Sequence, residues 1–497
     1  MRNKGMNHNM FTLSENGAIM HGTSGHYLLD LNFNISSYRK RSEDELLKDF
    51  GLAMGEDEKL AVKWLFYAGD IREGIGERRA FRILLPSVIA KYPHLVNYVG
   101  EFNRFDSLLV LLDDVRTRYT AIEFIKKQIH EDLDNIKADK HVSLLGKWLP
   151  SINATSKKTR GYALVLSKAL FDSHRTYRKI CTKLRKAIDV VETRMCGKDW
   201  KSINYSAVPS VAGFRHREAF KRHDTARYAE FIAKALSGKV KMNAGNVGVG
   251  EAVHQYDIRL GWHSNTMKKL DLEVEAVWKN FPDLFKDSDN DFLPVCDCSG
   301  SMTTSVSDNS SMSCMDVALG LSIYCARHNK CEAFKDKMMA FCDRPYIFTI
   351  EGDTLWSALA TVLQQNLGLD TNIERVMDAY LETLVKMNVA KDAKLPALII
   401  FSDMEFNGAM GHSADDTTLF GHIRQKFALK GYRLPRIVFW NLAGRTGSVP
   451  MRTNANGVIL ASGFSQNNLD IIFSKENDPY KVLIEKLTSE RYACITI

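Results

Sequence analysis

Residues 292–302 read FLPVCDCSGSM, an apolar run that ends in Asp297 and is followed at alternate positions by Ser299 and Ser301. A fully apolar run of this length predicts a strand buried on both faces. The loop it empties into carries one carboxylate and two hydroxyls, spaced so that all three can point at one spot. Oxygen ligands of this kind suit a hard divalent cation, Mg²⁺ far better than zinc. Cys296 and Cys298 flank Asp297 and share one face by the two-residue strand period; they are open to a zinc-pair reading, but small buried core residues fit them better.

Working outward, Ala397–Phe401 is a second fully apolar run, and it ends in Ser402-Asp403. That predicts Asp403 at the same sheet edge as Asp297. Between the two, GLDTNIERV presents Asp370 and Thr371 just before a helical pattern, where Thr371 can act as helix cap and as ligand. Asp297, Ser299, Ser301, Thr371 and Asp403 are therefore the candidate metal residues, and the ion they would hold keeps open positions that water or an acidic partner group can fill. For the acidic pair of Asp403 and Glu405 the bland alternative is loop solubility, which fits Asp403 poorly.

Around these strands the periodicity alternates. Helical patterns at Met315–Arg327, Thr354–Gln364, Asn372–Val389 and Thr417–Leu429 are interleaved with strand patterns at Lys337–Cys342, Pro345–Thr349, Ile437–Leu442 and Val458–Leu460. Further helical patterns stand at Leu469–Phe473 and Tyr480–Leu487. Such alternation predicts a largely parallel sheet covered on both faces, with ligands beyond the carboxyl ends of its strands. The Ser-, Asp- and Asn-rich stretch Thr303–Ser313 is longer than a minimal connection and is expected to be mobile.

The first half of the chain reads differently. Residues 11–34 mix turn formers with short apolar groups, as a hairpin or an irregular arm would. Ser42 with Glu45 predicts a capping box. Helical patterns then follow at Ala80–Lys91, Leu108–Leu112, Tyr119–Leu133, Gly161–Phe171, Thr176–Met195 and Ala226–Ala235, with no strand pattern between them. A helical-repeat body is the expectation. Asp70–Arg82, DIREGIGERRAFR, is weak as a phosphate-cradling loop, because no strand precedes it and no Lys-Ser/Thr follows; a tight helix–helix turn that can still face nucleic acid fits better. The Gly-rich stretch 242–262 reads as a linker, and a bridging helix is expected near Ser264–Lys279.

Charge is unevenly spread. Lys157–Lys241 holds 21 Lys/Arg against 7 Asp/Glu, an excess of 14, while the whole chain carries +8, so the remainder sums to −6. One basic segment on a mildly acidic chain is the pattern of a polyanion-binding face. Its runs are Lys157, Lys158 and Arg160 in a predicted loop; Arg175, Arg178, Lys179 and Lys183 on a helix striped by Tyr177, Ile180, Leu184, Ile188 and Val191; and Arg215, His216, Arg217, Lys221 and Arg222 interleaved with Phe214 and Phe220. At 497 residues, 45% hydrophobic and 25% charged, the chain is an ordinary folded protein of more than one domain. It shows no apolar leader region and no run long enough to span a membrane. Nine cysteines without a CxxC pair predict reduced thiols and a cytoplasmic setting.

Asp297-x-Ser299-x-Ser301, then Thr371, then Asp403 resembles the five-point metal-ion-dependent adhesion site of von Willebrand A domains, in order and in separation. NGAIMHGTSGHYLLDL, WLFYAGDIREGIGERRAFR, KWLPSIN, YRKICTKLRKAIDVVE, DWKSINYSAVPSVA and AFKRHD look like the helical module of an uncharacterised family of bacteria, viruses and plants. That family is related to the Ro (TROVE) ribonucleoprotein autoantigens, remotely in sequence and mainly through architecture and the GxGER-type turn. The resemblance implies an α plus α/β protein, in which an N-terminal HEAT-like helical repeat ring precedes a Rossmann-like von Willebrand A domain. The corresponding segments are an arm at 1–40, a TROVE-like module at 41–262, a bridging helix at 263–290 and the von Willebrand A domain at 291–497.

It further implies a monomeric, non-enzymatic ring that binds structured or misfolded small non-coding RNA, with bases stacking on Phe214, Tyr228 or another exposed aromatic. Mg²⁺, or another divalent cation, would serve partner binding or ring closure, and no membrane is involved. A protein-interaction scaffold that captures an acidic partner without nucleic acid is the alternative. A metal-dependent nuclease or phosphatase rests on the same carboxylates alone, since no GxSxG, HExxH or Walker loop is present.

Overall fold

In the computed structural model, the described residues are 11–13, 19–260, 265–286, 291–365, 367–368, 371–393, 395–406, 417–444, 447, 449–450, 457–474, 476 and 478–497. The chain divides into two compact units, Met1–Leu60 with Ala244–Ser489 and Ala61–Asn243 with Glu490–Ile497. This differs from the boundaries drawn on the sequence, because residues before 61 pack with the sheet and residues after 489 pack with the helices.

The first unit is built on a sheet whose described strands are β1 (Phe292–Cys296), β2 (Lys337–Ala340), β3 (Ile347–Thr349), β4 (Ala397–Ser402), β5 (Ile437–Asn441) and β6 (Val458–Ser462). Their order is β3-β2-β1-β4-β5-β6, parallel throughout except for the antiparallel edge strand β3. The apolar runs are continuous because both faces of β1, β5 and β6 are buried. Register aligns Cys296 with Phe401, Ser402 with Asn441, and Asn441 with Ser462. Asp297, Ser402, Asn441 and Ser462 thus form a fully buried polar row along one edge. In this strand order the winding reverses between β1 and β4, which opens a crevice at their carboxyl ends.

The Cys314–His328 helix packs on β1 with residues 314–326 all buried. Its start is fixed by a capping box in which Asp316 N donates to Ser313 Oγ (3.1 Å) and Ser313 N to Asp316 Oδ2 (2.8 Å). The preceding stretch is tethered rather than free. Val306 N donates to Met312 O (2.9 Å), Cys314 N to Thr304 O (2.9 Å), and His254 bridges Asp316 Oδ2 and Ser311 Oγ, each at 2.9 Å.

The Gly-rich stretch read as a linker contains the Val249–His254 helix, whose Val249, Ala252 and Val253 are fully buried against Cys314–His328. Gly250 on this helix and Gly320 on the facing one serve close approach. A Cβ on Gly320 would lie 2.8 Å from Val249 C and 3.0 Å from Gly250 N, a backbone clash that no rotamer relieves. Gly320→Ala is expected to cost about 1–3 kcal/mol in a urea melt, whereas Gly161→Ala, with open space around it, should cost nothing. The bridging helix is shorter than expected, Leu272–Lys279.

The N-terminal segment belongs to this unit. Phe11–Leu13 pairs antiparallel with Ile19–His21, and the buried Tyr27–Phe33 helix leads into a turn at Ile35–Arg39. Ser36 Oγ donates to Asn441 O (2.9 Å), Asn441 Nδ2 donates to Phe33 O (2.9 Å), and Arg39 lies 4.0 Å over the Phe464 ring. Behind this segment, Ser42 and Glu45 form the expected capping box.

Among its described residues the second unit has no strand. Its larger helices are Arg78–Lys91, Val115–Lys137, Lys157–Phe171, His174–Ile188, Ser210–His223 and Thr225–Leu236. Two local expectations are corrected. Lys157, Lys158 and Arg160 lie in the first turn of a helix rather than in a loop, because Ser156 Oγ accepts from Thr159 N (3.3 Å) and starts it. The helix expected over Thr176–Met195 is broken at Asp189, whose φ is +52°, a left-handed conformation that short polar side chains tolerate. Asp189 is held there by Arg194 Nε (2.9 Å) and Nη2 (2.7 Å).

Asp70–Arg82 forms a turn between helices. Asp70, fully buried, accepts from Arg491 Nε (2.9 Å), Tyr492 OH (3.2 Å) and Arg72 N (2.9 Å).

Candidate metal centre

Asp297 is the first residue beyond β1, and its N donates to Phe401 O (3.0 Å), which locks it to the neighbouring strand end. Its carboxylate is fully buried. Oδ1 accepts from Ser299 N (2.9 Å) and Oδ2 from Ser402 Oγ (2.6 Å). Ser299 Oγ and Ser301 Oγ are 3.0 Å apart, so the alternating hydroxyls do converge.

From β4, Met404 takes φ +64°, a left-handed turn that costs a residue with a side chain about 1–2 kcal/mol. Met404 N donates to Ser402 Oγ (3.0 Å) and Glu405 N to Asp403 Oδ1 (3.3 Å), while Thr371 Oγ1 donates to Glu405 O (3.3 Å). All five candidate residues therefore lie at the β1/β4 edge, and Thr371, Asp403 and Glu405 are almost fully buried. Burial of Glu405 corrects the loop-solubility alternative. Asp370 lies outside the described residues.

Burial, with the neighbouring Asp403 charge added, pushes the Asp297 carboxyl up to about 6 against the pull of the Ser402 and Ser299 hydrogen bonds. Two buried carboxylates in each other's field form an arrangement that a hard cation would relieve. Among the described residues, no three His, Cys, Asp or Glu side chains gather about one point; completing an oxygen set here requires the Ser299, Ser301 and Thr371 hydroxyls. Cys296 and Cys298 are buried with their sulfurs 3.7 Å apart. The Cys296 sulfur and burial push the Cys298 thiol well up, away from the thiolate that zinc needs, which favours the core reading.

Sequence reasoning missed Ser402. Its hydroxyl bridges the two acidic strand ends, donating to Asp297 and accepting from Met404 N, and its position one residue before Asp403 was the available signal. Ser402→Ala is expected to leave both carboxylates in place while weakening divalent-cation affinity about 10–100-fold by titration calorimetry.

The basic residues lie on the helical unit. Arg175, Arg178, Lys179 and Lys183 are exposed along His174–Ile188, whose other face buries Tyr177, Cys181 and Leu184. Lys157–Phe171, with exposed Lys157, Lys158 and Arg160, packs beside that helix; Lys158 Nζ is 3.5 Å from Asp113 Oδ2. Arg215, Lys221 and Arg222 are exposed on Ser210–His223.

Two residues of that third run are engaged locally. His216 Nε2 lies 3.5 Å from Glu192 Oε1, and Arg217 Nη1 donates to Phe214 O (2.9 Å) with its guanidinium over the Phe214 ring. Stacking of bases on Phe214 or Tyr228 is corrected, because both are buried. Tyr228 is packed among Tyr205 and Phe220 at 5.0 and 5.5 Å.

Residues 291–490 match the family model described as Domain of unknown function (DUF7788), and residues 119–288 match the one described as Domain of unknown function (DUF2828). Uncharacterized protein L728 of Acanthamoeba polyphaga mimivirus is 26% identical over 529 residues, covering 96% of this chain and 87% of that protein. Among the described residues, no helix is long and apolar enough to cross a membrane.

Proposed function

We propose that this chain is a non-enzymatic, cytoplasmic RNA-binding protein on the Ro plan, in which a helical-repeat ring holds structured or misfolded small RNA and a von Willebrand A domain carries a divalent-cation adhesion site. The observation that carries the RNA reading is the row Arg175, Arg178, Lys179 and Lys183, exposed on a helix whose opposite face is buried. Cations placed this way are suited to phosphate-backbone contact.

The strand order, and the convergence of Asp297, Ser299, Ser301, Thr371 and Asp403 at the β1/β4 crevice, support the adhesion-site reading. Those residues would hold Mg²⁺ through oxygen, and the ion would supply an open coordination position for a carboxylate.

The test is the protein as purified. RNA binding predicts a 260/280 nm absorbance ratio raised by retained nucleic acid and lowered by ribonuclease. A ratio of protein alone, with partner capture lost in Asp297→Ala, would favour the scaffold alternative, which the buried metal centre by itself supports. Mg²⁺-dependent hydrolysis of RNA or a phosphate ester, lost in Asp403→Ala, would overturn the non-enzymatic assignment.

A further inference from the structure

We propose that Arg78, Arg82 and Arg104, in the helical unit, form a binding site for a phosphate monoester, with Arg215 adding positive charge nearby. Three of these arginines surround one carboxylate. Arg82 Nη2 is 2.7 Å from Asp106 Oδ2, Arg104 donates to Asp106 through Nε (3.0 Å) and Nη2, and Arg78 Nη2 stands 3.7 Å away. Arg215 acts on Arg78 electrostatically from the Ser210–His223 helix. Four guanidinium groups against one carboxylate leave a local charge of +3.

The cluster is held in place before any ligand arrives. Arg104 lies 3.7 Å over the Trp148 ring, and Arg82 Nε donates to Ser107 Oγ (3.1 Å). It also has an unused donor: Arg78 Nε is buried without a hydrogen-bond acceptor. An unpaired buried donor is rare and costly, and a ligand oxygen would satisfy it. Burial, with Arg104 and Arg82 adding to it, pushes Arg78 down to about 10, as expected of crowded cations with too little negative charge near them. Burial alone would raise Asp106, yet Arg104 and Arg82 hold it below the ordinary carboxylate range.

The ligand chemistry follows from charge and shape. Guanidinium forks match tetrahedral oxyanions in pairs. A monoester dianion, with three terminal oxygens, offsets a +3 site better than a diester carrying a single charge. Arg78 also opens the Arg78–Lys91 helix, whose N-terminus carries no side-chain cap, so the helix dipole adds to the attraction. A strand terminus as the source of the phosphate rests on the RNA reading above; the phosphate chemistry does not.

The test compares one short single-stranded RNA bearing a 5′-phosphate with the same strand bearing a 5′-hydroxyl, and with AMP. Wild-type protein is expected to bind the 5′-phosphorylated strand at least about tenfold more tightly than the hydroxyl strand. Arg78→Ala with Arg215→Ala, checked for an unchanged melting curve, should abolish that preference, and Arg78→Lys should retain part of it. AMP bound as tightly as the phosphorylated strand assigns the site to small phosphorylated molecules; weaker AMP binding assigns it to strand termini. If neither RNA binds but AMP does, and the double variant loses it, the RNA reading fails and the phosphate site stands. Equal affinity for the two strands, or a preference that survives in the double variant, overturns the proposal while leaving the RNA reading intact.

Discussion

Mg²⁺ added to metal-stripped protein at about 100 times its dissociation constant is expected to stabilise the sheet unit by about 2.7 kcal/mol, and to stabilise Asp297→Ala or Asp403→Ala by nothing. A differential melt with and without chelator reads this directly; equal gains in wild type and variants would remove the metal centre. The same site gives the stability a definite pH sign. The Asp297 carboxyl is raised from 3.8 to about 6 in the native state, so the folded protein holds its proton more tightly than the unfolded chain does. The resulting stabilisation is fully present below about pH 4 and is lost in the metal-free protein as pH rises through the raised native value. Mg²⁺ should restore it above pH 6 by binding the ionised form, and cation affinity should fall as the solution is acidified.

Replacing Arg175, Arg178, Lys179 and Lys183 together by glutamine is expected to weaken RNA binding across sequences and to lower the slope of log affinity against log salt by about 3, at about 0.7 per single-strand phosphate contact. Arg217 is left out of this set because its guanidinium is bound at Phe214, so its loss would confound binding with packing. All four replaced side chains point to solvent, and the melting curve should not move. An unchanged salt slope would place the RNA surface elsewhere.

Where burial is two-sided, local pattern was enough to read the fold. β1 and β4 are continuous apolar runs because both faces of these strands are covered, and the polar residue that ends each run had to be the one leaving the strand. That is why Asp297 and Asp403 could be paired from sequence alone. What escaped depended on register or on segments distant along the chain. Ser402 acts because parallel pairing sets it beside Asp297. The Arg78, Arg82 and Arg104 cluster needs the Asp70–Arg82 turn and the Phe105–Leu112 segment side by side, and arginines at a helix start look the same whether solvated or gathered about Asp106.

Gly250 was misleading for a related reason. Glycine in an uncharged stretch reads as slack, whereas here it allows two helix backbones to touch. Ser156 was informative and overlooked: one cap three residues before Thr159 turned a predicted loop into a helix that carries three of the basic residues.

The chain crosses between its two units three times, after Leu60, after Asn243 and after Ser489. Consequently neither unit is a contiguous stretch of polypeptide. The hydroxyl of Ser36 waits for Asn441, and Asp70 waits for Arg491 and Tyr492. On the ribosome, the early segments would emerge without their partners and stay incomplete until the segments around 441 and 491 have been made. Closure over hundreds of residues makes assembly slow and exposes unfinished surfaces to aggregation. A nascent chain of this design would depend on being shielded until residues 490–497 have emerged, and fragments cut at 60 or 243 should be recovered insoluble.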